Sequence, residues 1–261
     1  MMKEYALITG ASKGIGKSIS IELAQRGYNV LLIARSEESL LALKDQLIKQ
    51  FKVDVQILAL DLSDRESAIK LHGWILTNNF PISVLINNAG FGLYGQFYQQ
   101  DLIELQNMLD LNIKTLTAIT HLLVPVLKKQ EKSYILNVAS TAAFQSMPFM
   151  GVYAATKAFV LSFSRALRYE LKASGISVSC LCPGPVKTAF WERANAPSVD
   201  LIEKISKDPE EIARVAVRGM FAGKSEVFVG GINRLGAFSN RLLPKNLIEK
   251  VAAGLFSSKA K

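Results

Sequence analysis

Short apolar runs and longer helical repeats alternate along nearly the whole chain. The runs are Tyr5–Thr9, Asn29–Ala34, Val53–Leu60, Ile82–Ile86, Tyr134–Ala139, Ile176–Leu181 and Val227–Val229. Runs of this length, bounded by glycine, asparagine or proline, read as buried strands. The segments between them carry apolar residues three and four positions apart, the spacing of a helix with one buried face. That spacing predicts helices from Gly16 to about Arg26, from Ser36 to about Gln50, from about Asp64 to Asn78, from about Leu102 to Lys128, and from Tyr153 through Leu171. Ser36 can cap the second, whose apolar face is Leu40, Leu43, Leu47 and Ile48. Pro125 should bend or end the fourth. Phe159, Phe163, Leu167 and Leu171 form the apolar repeat of the fifth. Strand, crossover helix, strand, repeated in this way, predicts an α/β fold: a doubly wound parallel sheet of about seven strands with helices on both faces. Ligands bind such sheets beyond the carboxyl ends of the strands. The residues that follow each strand are therefore where chemistry should be sought.

The first strand runs into Thr9-Gly10-Ala11-Ser12-Lys13-Gly14-Ile15-Gly16 and then a helix. Glycines let the backbone approach a ligand, and helix N-terminal amides face an anion, so this is a phosphate-binding arrangement. The second strand ends in Ala34-Arg35. In a dinucleotide site an acid at this point binds the adenosine 2′-hydroxyl, whereas a base accommodates a 2′-phosphate. Arg35 and Lys13, with no acid at Ala34, favour NADP over NAD. Asp61-Leu62 closes the third strand, and its carboxylate suits either an adenine amino group or a cap on the next turn. The fourth ends in Asn87-Asn88-Ala89-Gly90, and the sixth in Cys182-Pro183-Gly184-Pro185-Val186-Lys187-Thr188, a rigid turn.

The fifth strand ends at Ser140, and the next helix opens with Tyr153-Ala154-Ala155-Thr156-Lys157. Residues four apart share a helix face. A phenol titrates near ~10 in water. A neighbouring ammonium favours the phenolate and brings that value down toward neutrality, which makes a proton donor and acceptor at an oxygen atom. The Ser140 hydroxyl, at the strand's carboxyl edge, can hold the same substrate oxygen.

Composition narrows the alternatives. With 261 residues, 49% of them hydrophobic, the chain can bury a substantial core. No apolar run reaches the ~18 residues that a membrane span needs. Lys3 and Glu4 lead straight into the first strand without a signal-peptide pattern, so the expected compartment is the cytoplasm. Cys180 and Cys182 fall on one face of a strand and read as buried free thiols. The two histidines, His72 and His121, have no ligand pattern around them, and no metal is expected. The net charge of +9 raises the question of nucleic acid, but no recognised motif accompanies it, and no such partner is expected. From Asn233 to Lys261 there are six Lys and Arg against the single acid Glu249.

Taken together, Thr9-Gly10-x-x-x-Gly14-x-Gly16, Asn87-Asn88-Ala89-Gly90, Ser140, Tyr153-x-x-x-Lys157 and Pro183-Gly184 resemble the short-chain dehydrogenase/reductase family in its single-domain Rossmann-type form. The resemblance covers about Tyr5 to Gly231. It implies that Tyr153 is the catalytic acid/base, that Ser140 orients the substrate oxygen, and that Lys157 lowers the phenol's pKa and bonds the nicotinamide ribose. It implies that Asn112 positions a water in the proton relay. Cofactor contacts are expected from Gly10, Ser12, Lys13, Gly14, Ile15 and Gly16 in the loop, and from Arg35, Asp61 and Leu62. Asn88, Ala89, Gly90, Pro183, Gly184, Val186, Thr188, Tyr153 and Lys157 complete the set.

The activity expected is NADP(H)-dependent interconversion of a carbonyl and a secondary alcohol. The alternatives are a non-catalytic NADP-binding sensor or a membrane-surface protein on the same fold. Phe144, Met147, Phe149, Met150, Phe190 and Trp191 flank the site in connecting segments and are expected to wall a hydrophobic substrate, ketone, hydroxysteroid-like or 3-oxoacyl-like. A homodimer or homotetramer through the helices of Asn112 and Tyr153 is expected from the family. Residues 1–231 are expected to form the catalytic domain. Residues 232–261, with Leu235, Phe238, Leu242, Leu247, Ile248, Val251, Leu255 and Phe256 among basic residues, are expected to be an amphipathic cap on it. Peripheral membrane contact through that tail is the minority reading.

Overall fold

Seven strands pair in parallel; the inner ones are buried on both faces, where helices cover them, and the edge strands β3 and β7 are only partly buried. They are β1 (Tyr5–Thr9), β2 (Asn29–Ala34), β3 (Val55–Ala59), β4 (Ile82–Asn87), β5 (Ser133–Val138), β6 (Ile176–Cys182) and β7 (Glu226–Phe228). The spatial order is β3-β2-β1-β4-β5-β6-β7. The computed structural model describes residues 4–196, 204–231, 233, 235, 244, 246, 248–250 and 253–254.

Alternation along β1 shows how the layers form. Ala6 and Ile8 enter one core with Ile19, Leu40 and Ile212, and Leu7 enters the other with Leu71, Met108 and Leu123. The first core is closed by α1 (Gly14–Gln25), α2 (Glu37–Phe51) and α8 (Pro209–Phe221). The second is closed by α3 (Ser67–Thr77), α4 (Leu102–Leu109), α5 (Leu116–Leu127) and α6 (Gly151–Leu171). The four-residue helix α7 (Phe190–Arg193) lies in the connection after β6. From β1 the chain builds outward to β3, then returns to place β4 on β1's other side. This switch opens a crevice at the strands' carboxyl ends.

The expected elements are present, with two local differences, in the long fourth helix and in two helix faces, while Pro125 ends its helix as expected. The long fourth helix is two helices joined by one wider, π-helical turn, Asp110–Thr115. The chain stays helical through it, so apolar spacing alone does not reveal the join. Pro125 falls in the last turn of α5, which ends two residues later at Leu127. Two helix faces are narrower than their apolar spacing suggests. Leu40, Leu43 and Leu47 are buried but Ile48 is exposed, and Phe159 is exposed while Leu167 and Leu171 are buried. Ser36 does cap α2, accepting a hydrogen bond from the Ser39 N–H.

Cys180 and Cys182 are buried and free, with their Sγ atoms 4.0 Å apart. Of the tail, Ile248 is buried and Leu235 exposed. Phe238, Leu242, Leu247, Val251, Leu255 and Phe256 lie outside the described residues. Among the described residues no helix is long and apolar enough to cross a membrane.

Candidate active site

One hydroxyl joins the glycine loop to the end of β4. Thr9 Oγ1 donates to the Ile86 carbonyl at 3.1 Å and accepts from the Asn88 and Ala89 N–H groups at 2.9 and 3.1 Å. The Asn88 side-chain amide then donates to the Thr9 and Gly10 carbonyls at 2.9 and 3.1 Å. Asn88 thus braces the loop from below. Gly16 is buried against the same place: a Cβ there would lie 2.2 Å from the Gly10 carbonyl oxygen. The loop can fold back over the start of α1 only because that atom is missing.

Above the loop runs a cleft of about 1150 Å³ along the carboxyl edge of the sheet. One end is charged. Gly10, Ser12, Lys13, Gly14 and Ile15 line it beside Arg35, Asp61 and Leu62. Arg35 faces Asp61 across 3.7 Å, and both are about half exposed. Partial burial opposes ionisation of Asp61. Hydrogen bonds from Ser63 and the Arg35 charge outweigh it and hold the carboxyl below its usual range. Both roles foreseen for Asp61 therefore remain chemically open: it organises the turn at Ser63, and its other oxygen meets Arg35. Ala89, Gly90, Pro183, Gly184, Val186 and Thr188 also line the cleft.

The other end is apolar around a polar centre. Tyr153 and Lys157 are buried, on the face of α6 that meets the cleft. The Lys157 ammonium lies 5.8 Å from the centroid of the Tyr153 ring and donates to the Val138 carbonyl at 2.9 Å. Burial pushes the phenol up to about 12, and its hydrogen bond with Ser140 pulls only part of the way back. This corrects the sequence expectation of a lowered phenol. The spacing argument counted the nearby charge and left out desolvation, which favours the neutral form. The same desolvation brings Lys157 down to about 8, against a smaller upward pull from the Cys180 and Cys182 thiols.

Asn112 lies behind the cleft, in the π-helical turn. Its amide donates to the Phe91 carbonyl at 2.9 Å and to Thr156 Oγ1 at 3.1 Å, and its Oδ1 accepts from the Phe91 N–H at 3.1 Å. Thr156 in turn donates to the Tyr153 carbonyl at 2.7 Å. Asn112 thereby ties the Gly90–Phe91 backbone to α6. Gly90 has no room for a side chain: a Cβ would meet Asn112 Oδ1 at 2.9 Å and Lys157 Nζ at 3.4 Å.

Met147, Met150, Phe190 and Trp191 line the apolar end. Phe144 and Phe149 do not, which corrects their assignment. The short turn Thr141–Phe144, capped by Ser140, swings Phe144 onto Phe228 at a centroid distance of 5.7 Å. Phe149 adopts a left-handed backbone, φ 67°, and packs against Tyr94 at 5.8 Å. Gly16 and Asn112 shape the cleft from behind rather than line it. Sequence reasoning passed over Thr9 as a hydrogen-bonding centre and Thr156 as a brace. It also passed over Glu104, Asn107 and Leu111, which line the cleft from α4 and the π-helical turn. Thr9, which opens the glycine-loop motif, and Thr156, inside the Tyr153–Lys157 motif, were the two with a visible signal.

A glycine loop under one end of a long cleft, with a phenol, an ammonium and a hydroxyl at its far end, suits proton transfer at a carbonyl oxygen beside a bound dinucleotide. The sequence profile of the short chain dehydrogenases matches residues 4–198. This protein belongs to that family. It is 33% identical over 218 residues to the very-long-chain 3-oxoacyl-CoA reductase of Anas platyrhynchos, a match covering 82% of this chain and 67% of that protein. The chain spans about two thirds of the length of that and similar reductases. Among solved structures, a short-chain dehydrogenase from Sphingobium yanoikuyae in complex with NADPH is 29% identical, covers 94% of each chain and has a TM-score of 0.82. The bulky-bulky ketone specific alcohol dehydrogenase from Comamonas testosteroni is 26% identical, with a TM-score of 0.78, over 95% of this chain and 94% of that one.

The Thr9 hydroxyl gives a direct test of how this dehydrogenase assembles its cleft. Thr9→Val keeps the shape but leaves the Asn88 and Ala89 amides without their acceptor. A buried group so orphaned costs roughly 1–3 kcal/mol. Urea unfolding should show a loss of that order, with most of it recovered in Thr9→Ser. Equal stability of wild type and Thr9→Val would refute the stitch.

Proposed function

We propose that this protein is an NADP(H)-dependent oxidoreductase that reduces the carbonyl group of a hydrophobic substrate, 3-oxoacyl-like or a bulky ketone, to a secondary alcohol. The observation that carries the proposal is the pairing of two ends in one cleft. The glycine loop and Arg35 lie at one end, with no acid at Ala34. Ser140, Tyr153 and Lys157 lie at the other, under an apolar wall. NADPH bound to a related dehydrogenase of the same fold supports the cofactor assignment. The names of the relatives, a 3-oxoacyl-CoA reductase and a bulky-ketone alcohol dehydrogenase, support the substrate class.

In this reading the glycine loop and the α1 N-terminus would hold the dinucleotide's phosphates, and Arg35 would hold its 2′-phosphate. The cofactor supplies hydride to the carbonyl carbon. Tyr153 gives its proton to the carbonyl oxygen, and Ser140 holds that oxygen by a hydrogen bond. Lys157 fixes the nicotinamide ribose and lends positive charge to the oxygen's surroundings. Asn112 keeps the Gly90–Phe91 backbone and α6 in register, and a water beside it would return protons to the phenol. Met147, Met150, Phe190 and Trp191 exclude bulk water and receive the apolar part of the substrate. Exposed Leu109 and Phe159, on the helices that flank Asn112 and carry Tyr153, offer an apolar face for a second copy.

A carbonyl panel read by loss of NADPH absorbance tests the activity. Each added buried methylene contributes about 0.8 kcal/mol, roughly fourfold in affinity. kcat/KM should therefore rise along a series of 3-oxoacyl thioesters or ketones until the apolar end is filled. No turnover across the panel, or a flat response to chain length, would overturn the reading.

Acidity gives a second test. A phenol raised to about 12 keeps its proton at neutral pH, and an ammonium near 8 loses its charge above that value. Reduction should be level below neutrality and fall as pH passes through about 8. Oxidation of the alcohol needs the phenolate beside a charged Lys157, so it should climb with pH up to about 8 and level off above that value. A reduction rate that climbs toward alkaline pH would contradict the assignment.

A further inference from the structure

The cleft contains a cation that the reaction scheme does not use. Arg193 ends α7 and lines the cleft together with Arg35, Asp61 and Glu104. Its guanidinium carbon lies 4.1 Å from the centroid of the Phe91 ring. Phe91 follows the end of β4, and Glu104 belongs to α4. Arg193 therefore reaches across the opening, from the connection after β6 to the opposite wall. Its own element is tied down on both sides of the crossing. The Tyr94 N–H donates to the Ala194 carbonyl at 2.9 Å, and the Phe190 ring lies 5.3 Å from the Tyr153 ring. One end of α7 thus covers the phenol while the other extends toward the charged end.

The charges around Arg193 show what that end lacks. Desolvation and the positive charge of Arg35 both press the Arg193 pKa down, and Glu104 and Asp61 only partly offset them. Two guanidinium groups of like charge share a partly buried space with two acids, Glu104 and Asp61, and Asp61 already faces Arg35. An anion placed between them would relieve the repulsion and accept charge-assisted hydrogen bonds from both. A guanidinium suits this task better than an ammonium, because it packs on an aromatic face and binds phosphate through a planar fork.

We propose that Arg193 is a third phosphate-recognising residue, joining Lys13 and Arg35 at the adenosine 2′-phosphate of the cofactor. The cover over the active site then registers NADP(H) directly and distinguishes it from NAD(H). The proposal rests on the NADP(H) reading above and adds a specificity determinant carried by α7 rather than by the β2 end.

The test is a pair of binding titrations on the full chain at fixed ionic strength, following cofactor fluorescence with NADPH and with NADH. Arg193→Met keeps an apolar stem over Phe91 and removes the charge; Arg193→Lys restores the charge without the fork. Arg193→Met should raise the NADPH Kd about tenfold or more, the size expected for a hydrogen bond to a charged group. It should leave the NADH Kd within about twofold, and Arg193→Lys should fall between wild type and Arg193→Met. The NADPH defect should shrink as salt rises. Equal loss for both cofactors, or no loss for either, overturns the proposal while leaving the cofactor reading intact. A wild type that binds NADH as tightly as NADPH overturns both.

Discussion

Burying an ammonium beside a phenol is the constraint around which this molecule is arranged. Lys157 is only 6% exposed. An ion taken out of water costs several kcal/mol unless it is hydrogen-bonded. Here the compensation comes from the Val138 carbonyl, freed at the carboxyl end of β5 where the ladder stops. That end must therefore meet α6 at this one turn. The residue beside it is a glycine, and a Cβ on Gly90 would clash with Asn112 Oδ1 at 2.9 Å and press on Nζ at 3.4 Å. The low value reached by Lys157 and the high value of Tyr153 are two results of the same burial. The phenol is held as an acid with its proton in place, as carbonyl reduction requires.

The wider turn between α4 and α5 follows from the same need. An asparagine in a regular helix points its amide toward its own backbone or into solvent. The π-helical turn instead delivers Asn112 to Phe91 and Thr156 at once. Such turns are rare and recur at functional sites. Through Thr156 the contact passes to the Tyr153 backbone, so the wall of the cofactor cleft and the helix of the phenol are set by one amide.

Much of this was legible in the chain. Mostly apolar runs without a regular apolar–polar alternation declare a parallel sheet, because its strands are buried on both faces. The glycine loop, Arg35, Asn88, Ser140 and the Tyr153–Lys157 pair stand out because the fold sends every strand's carboxyl end to one edge. What stayed hidden depends on quantities that no local pattern carries. The directions of Phe144 and Phe149 are set by a capped turn and a left-handed residue. The rise in the Tyr153 pKa is set by burial. The π-helical turn interrupts hydrogen bonding without interrupting apolar spacing. Arg193 looks like any charged residue on a short helix until the fold brings α7 against Phe91.

The central claim is that the Tyr153 hydroxyl supplies the proton. Its most direct test is single-turnover hydride transfer from saturating NADPH to an accepted ketone, comparing wild type with Tyr153→Phe. The ring stays, so the packing of α6 against Phe190 and the affinity for NADPH should stay too. Loss of general acid catalysis predicts a rate lower by ~10²–10⁴-fold. A variant that keeps more than about a tenth of the wild-type rate, far above that loss, would place the proton donor elsewhere and contradict the account.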